Sequence, residues 1–149
     1  MKKRIAMLIV IVAVLCSILP TTAIAEERAI EIPPADEIVN ADFAEAFTME
    51  RSTLTGSAKI TKMSSTSAKC YGVSEISPSN TQLEVKIVLQ QYKDGTWNNY
   101  KSASKVVVGT KCELTKTFDV ASGYYYRVKT THKAVGETMK SATTKGILF

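Results

Sequence analysis

One imidazole, three thiols and fourteen carboxylates are the side chains of this 149-residue chain best suited to acid–base, nucleophilic or metal chemistry. His132 is the only imidazole, and its neighbours Lys129 and Lys133 make it read as surface decoration on a strand, not as a general base. With His132 read so, no other His remains for a serine or cysteine to borrow, which leaves little material for a nucleophile–base pair. Glu75, Glu84, Glu113, Asp119 and Glu137 lie far apart, and nothing in their spacing nominates a glycosidase pair. No calcium-loop spacing, short Cys/His spacing or phosphate-cradling glycine loop occurs. These residues predict a protein that is not an enzyme and that uses no cofactor and no resident metal.

What remains is a surface. Tyr92, Trp97, Tyr100, Tyr124 and Tyr125 interleave with Lys86, Lys93, Lys101, Lys105, Arg127 and Lys129. On an extended chain Tyr125, Arg127 and Lys129 share one face and Tyr126 and Val128 the other. Together with Trp97 and Tyr100 they form the candidate binding surface, an aromatic and basic strip. Such a strip suits an anionic cell-wall glycan, a teichoic-type polymer or an acidic protein partner. Cross-strand pairing on an ordinary solvent-facing sheet accounts for the same residues.

The elements that must carry this strip begin after an export signal. Met1-Lys2-Lys3-Arg4 is a positive start, Ile5 to Leu19 is an apolar run, and Ala23-Ile24-Ala25 supplies the small residues of a signal-peptidase site. At about 1.5 Å per residue a 15-residue run spans only about 22 Å, short of a roughly 30 Å hydrocarbon core. Residues 1–25 are therefore expected to be a signal peptide, cleaved before Glu26, and the protein to be secreted with no membrane association afterwards. Cys16 follows Leu15, where a lipidation signal wants a small residue.

Removing residues 1–25 takes away Lys2, Lys3 and Arg4, and the formal charge falls from +5 to +2, from 16 basic less 14 acidic side chains. Nucleic acid is then no longer an expected partner. Cys70 and Cys112 remain, and two cysteines in an oxidising compartment predict one disulfide, with two separate buried thiols as the other reading. Residues 26–50 carry one basic and eight acidic side chains, or −7, and residues 51–149 carry 15 basic and six acidic ones, or +9. Residues 26–54, with Pro33-Pro34 and scattered apolar positions, read as an acidic linker or pro-segment. A short helix is expected after Pro34. The segment is either a solvated tether or an arm that docks on the basic domain.

From residue 55 to residue 149 the pattern has period two. Leu83, Val85, Ile87 and Leu89 share one face of the clearest strand, which ends at the hairpin dipeptide Asp94-Gly95. Further strands are expected at Ala58 to Met63, Ser67 to Ile76, Lys105 to Val108, Lys111 to Val120, Tyr124 to Lys133 and Glu137 to Leu148, the last broken near Gly146. About seven strands without a long helix predict an all-β, antiparallel sandwich.

The run Val120-Ala-Ser-Gly-Tyr-Tyr-Tyr-Arg-Val128 resembles the approach to the penultimate strand of immunoglobulin-like and fibronectin type III domains. The resemblance implies that Tyr126 is a corner tyrosine, bonded back to the upstream backbone, with Val128 and Thr130 continuing its face. It also implies that Cys70 and Cys112 lie on neighbouring strands of one sheet, and Trp97 departs from the pattern by following the long strand. A second resemblance covers residues 57–149. Leu89-Gln-Gln-Tyr-Lys-Asp-Gly-Thr-Trp97, Gly123-Tyr-Tyr-Tyr-Arg-Val-Lys129, Thr131-His132 and the Ser/Thr-rich end at Ser141 to Thr144 are similar to small secreted proteins of Gram-positive, spore-forming bacteria, a domain of unknown function. It implies export and an all-β domain and carries over no catalytic or binding residue. Two functions are consistent with these expectations: a secreted, non-enzymatic interaction module at or near the cell envelope, and a bacteriocin-like or toxin-like effector released from its acidic segment.

Overall fold

The structure, a computed structural model, describes residues 29–48, 53–77 and 80–149. The expected signal peptide lies outside the described residues, among which no helix is long and apolar enough to cross a membrane. After a 3-10 turn at Ala35–Glu37 come, among the described residues, nine strands: β1 (Phe43–Phe47), β2 (Leu54–Ser64), β3 (Ser67–Ile76), β4 (Thr81–Lys93), β5 (Thr96–Gly109), β6 (Lys111–Asp119), β7 (Tyr125–Ala134), β8 (Lys140–Thr143) and β9 (Ile147–Leu148). They form two antiparallel sheets, ordered β1-β2-β3-β6 and β5-β4-β7-β8, with β9 also on β7. The all-β sandwich is the expected class. β3 sits beside β6 and β4 beside β7, the neighbour relations of strands B and E and of strands C and F in the immunoglobulin plan.

Alternation places the core. Leu83, Val85, Ile87 and Leu89 of β4 are fully buried, as are Tyr126, Val128, Thr130 and His132 of β7. They face Leu54, Ala58 and Ile60 of β2 and Ala68 and Cys70 of β3 across the sheets. Full burial of each large aliphatic side chain contributes roughly 1.5–3 kcal/mol, so this inner face is the main stabilising feature. The β4–β5 turn has Asp94 at φ 55° and Gly95 at φ 72°, the positive pair that a two-residue hairpin demands. Tyr126 occupies the corner: its hydroxyl accepts from Ala121 N at 3.1 Å and from Gln91 Nε2 at 2.7 Å. Its ring stands edge-on to those of Tyr100 and Phe149, with centroids 5.5 and 5.4 Å apart.

Four expectations are corrected. The acidic segment contributes to the fold: Phe43–Phe47 pairs with β2 as an edge strand, so the sheet begins well before residue 55. The helix expected after Pro34 is only the three-residue turn, and Ile38 to Phe43 run on towards β1 without it. Cys70 and Cys112 are free. In the β3–β6 ladder Cys70 stands opposite Lys116 and Cys112 opposite Ser74. That four-residue stagger is about 13 Å at roughly 3.3 Å per residue, whereas a disulfide needs Cα atoms within about 7 Å.

The fourth correction is His132, which is fully buried and not a surface residue. Its Nδ1 lies 2.9 Å from Ser74 Oγ and its Nε2 2.7 Å from Thr130 Oγ1. Ser74 donates its own proton to Glu84 O at 3.0 Å, so the Ser74 oxygen accepts from Nδ1–H and Nε2 accepts from Thr130. Burial pushes the imidazole down to about 4 and keeps it neutral. The ring lies against Gly56, where a Cβ would overlap it.

Candidate functional site

Register assigns the outer face of the second sheet. On β7 Tyr125, Arg127, Lys129, Thr131 and Lys133 alternate with the buried set; on β4 the outward residues are Glu84, Lys86, Val88 and Gln90. The strands pair Gln90 with Arg127, Val88 with Lys129, Lys86 with Thr131 and Glu84 with Lys133. Tyr125, Arg127 and Lys129 therefore share one face, as the spacing predicts. Trp97, on β5 opposite Tyr92, leans onto it: the Arg127 guanidinium carbon is 4.3 Å from the centre of its ring.

Tyr100 sits at the edge of the cluster that Trp97, Arg127 and Lys129 make, in an adjoining hollow lined also by Lys86, Val88 and Asn99, and Tyr125 falls outside it. A bulge explains the first. Leu89 pairs with Lys101 and Gln90 with Asn99, leaving Tyr100 as the extra residue on β5, and its ring packs on the buried Tyr126. Tyr125 borders a separate hollow of about 390 Å³, shared with Asp42, Lys62 and Leu148. Its neighbour on the groove side is Arg127, whose own charge is already matched.

Between β5, β4 and β7 runs an open groove of about 540 Å³, lined by Lys86, Val88, Gln90, Trp97, Asn99, Lys129 and Thr131 among others. The charges in and around it divide cleanly. Lys133 Nζ lies 3.4 Å from Glu84 Oε2 and Arg127 Nη1 3.4 Å from Glu37 Oε2. Lys86 and Lys129 have no carboxylate partner among the described residues, and they are diagonal neighbours across the β4–β7 ladder. Diagonal positions lie roughly 7–8 Å apart, and two unit charges held at such a separation in water repel by about 0.6 kcal/mol. That cost is small enough to bear without a ligand. An anion bridging both ammonium groups would remove it, with Asn99 and Thr131 beside it as hydrogen-bonding partners; the buried Gln90 amide is already bonded to Asn99 and Arg127.

Sequence reasoning did not nominate Glu37, Gln90 or Asn99 for this site. Glu37 accepts a hydrogen bond from Trp97 Nε1, and Gln90 Oε1 accepts one from Arg127 Nε at 2.9 Å. Burial pulls the Arg127 guanidinium below its usual value, and Glu37 opposes that shift. No spacing links Glu37 to partners 60 and 90 residues away; the one available signal was the charge contrast between acidic segment and basic domain.

His132, the one imidazole, is enclosed between the sheets and out of reach of an external substrate. Among the described residues no group of three His, Cys, Asp or Glu side chains is placed to hold a metal ion. No protein-family model, curated protein or solved structure matches the chain.

Proposed function

We propose that the chain is a secreted, non-enzymatic interaction module that acts at or near the bacterial cell envelope and holds an anionic polymer, of the teichoic or acidic-glycan type, in the outer groove of the second sheet. The observation that carries this reading is the Lys86–Lys129 pair: two adjacent cations without carboxylate partners among the described residues, in a groove lined with amide and hydroxyl groups. The export-type start of the sequence and its resemblance to small secreted proteins of Gram-positive spore-formers support the location. The test is direct binding of the full chain to poly(glycerol phosphate) and to an uncharged polysaccharide of similar length. Binding to the first alone, weakened by salt, is the expected result; equal binding to both, or to neither, would contradict the reading.

A bacteriocin-like or toxin-like effector is the second reading, favoured by the charge contrast of −7 against +9 between the two segments. It requires removal of residues 26–54, which strips β1 from β2 and Glu37 from Arg127. Mass spectrometry of the exported protein separates the two, since the effector requires a mature form that starts near residues 50–55.

A further inference from the structure

The acidic segment meets the second sheet through two carboxylates: Glu31 Oε2 accepts from Gly95 N at 3.2 Å at the β4–β5 turn, and Glu37 reaches the outer face. Glu37 Oε2 accepts from Trp97 Nε1 and lies 3.4 Å from Arg127 Nη1, and the guanidinium is stacked on the same indole ring. The backbone around it is fixed independently. Gly146 N donates to Glu37 O at 2.7 Å, Val39 N donates to Gly146 O at 2.9 Å, and Ile38 bridges Gly146 in parallel. Pro33 is buried and β1 is paired, so the segment stays in place whatever the Glu37 side chain does.

The result is a built carboxylate subsite, an indole N–H and a guanidinium converging on one oxygen, whose occupant comes from the same chain. Glu37 is 39% and Arg127 21% exposed, and a pair this open to water is held weakly and screened by salt. Arg127 precedes Lys129 by two residues on the same face, and Gln90, which holds its Nε, also lines the groove. With Glu37 in place Arg127 is neutralised; with Glu37 swung away, Arg127 extends the Lys86–Lys129 pair into a run of three cations.

We infer that Glu37 is an internal competitor for the groove: it neutralises Arg127 in the free protein, and an anionic polymer held by Lys86 and Lys129 displaces it and takes Arg127 as a third cation. This rests on the groove being the binding site. An intramolecular group acts at an effective concentration in the millimolar range, so a single small anion competes poorly. A polymer already engaged at two neighbouring charges competes from a comparable local concentration.

The experiment is a titration of the full chain with poly(glycerol phosphate) between 50 and 200 mM salt, comparing wild type with Glu37→Gln, Arg127→Gln and the double variant. Glu37→Gln keeps an acceptor for Trp97 and removes only the charge. Release of one more set of counterions predicts affinity roughly fivefold to tenfold higher at 0.1 M salt and a log–log salt slope steeper by about 0.7–0.9. The gain disappears in the double variant if it acts through Arg127; a gain that persists there reflects net charge alone and overturns the inference. Wild type and Glu37→Gln binding equally, with equal slopes, would leave the groove as the site and overturn the competitor. Binding by none of the four proteins would overturn both. Trp97 is the chain's one tryptophan, so its emission reads the displacement in wild type without any substitution. Saturating polymer must change that emission, and an unchanged spectrum at saturation contradicts the inference.

Discussion

Ser74 on β3 and His132 on β7 join the two sheets through the core, with Ser74 Oγ 2.9 Å from His132 Nδ1 and both residues fully buried. Among the described residues no charged side chain bonds to this pair: Glu84 offers only its backbone carbonyl and turns its carboxylate outward to Lys133. The imidazole is thus held neutral by burial while two hydroxyls satisfy its nitrogens, and its consequences are for stability.

The folded imidazole titrates near 4, against an ordinary value of 6.5. Because the folded value is depressed, the unfolded chain binds the extra proton first as pH falls. The His132 contribution is complete above pH 6.5 and is lost as pH drops from 6.5 to 4, by up to about 3 kcal/mol. Denaturant unfolding at pH 7, 6, 5 and 4.5 checks this. His132→Gln should flatten the decline across that window, and equal slopes in the two proteins would contradict the buried, neutral assignment.

Gly56 is the floor under the same ring. A methyl group there overlaps the imidazole, so Gly56→Ala should destabilise by about 1–3 kcal/mol although it lies in a strand where alanine is otherwise tolerated. Thermal melting reads the loss. Gly109, with only Asn80 near its Cβ position, is the control and should change far less.

The Tyr126 hydroxyl accepts from Ala121 N and Gln91 Nε2, so Tyr126→Phe leaves two donors without that acceptor while the ring contacts remain. The expected cost is about 1–3 kcal/mol. Hydrogen exchange at the Ala121 amide should speed up in the same variant, and an unchanged rate would remove the corner role.

Cys70 and Cys112 should stay reduced in the purified protein. Both are buried, and burial pushes the Cys70 thiol up to about 12, which suppresses the reactive thiolate. Alkylation should modify both only after denaturation. A cross-linked Cys70–Cys112 peptide in a non-reducing digest would contradict the four-residue stagger.

The legible parts of this fold are those where large apolar residues mark the inner face. Ser67–Ile76 matches its expected strand end to end, and the Asp94-Gly95 hairpin and the Tyr126 corner follow from local chemistry. β1 hid because its signal is inverted: in Phe-Ala-Glu-Ala-Phe the small Ala44 faces the core while Phe43 and Phe47 are 53% and 63% exposed. His132 was misplaced by its flanking lysines. Parity was the better guide, since the alternation that turns Tyr126 and Val128 inward turns Thr130 and His132 inward too. On the outer face of the second sheet, local alternation yields the outward set Tyr125, Arg127 and Lys129. The bulge that takes Tyr100 out of the alternation and the contact that brings Glu37 to Trp97 are tertiary, and no local pattern encodes them.

The central claim is that Lys86 and Lys129 together hold an anionic polymer, and the most direct measurement is the affinity of Lys86→Gln/Lys129→Gln for poly(glycerol phosphate) at 0.1 M salt. Loss of two cationic contacts predicts affinity lower by roughly 30-fold or more and a log–log salt slope shallower by about 1.4–1.8, with the melting temperature unchanged. Lys116→Gln/Lys69→Gln, on the opposite sheet, should bind as wild type does. Wild-type affinity in the Lys86/Lys129 double variant would contradict the account.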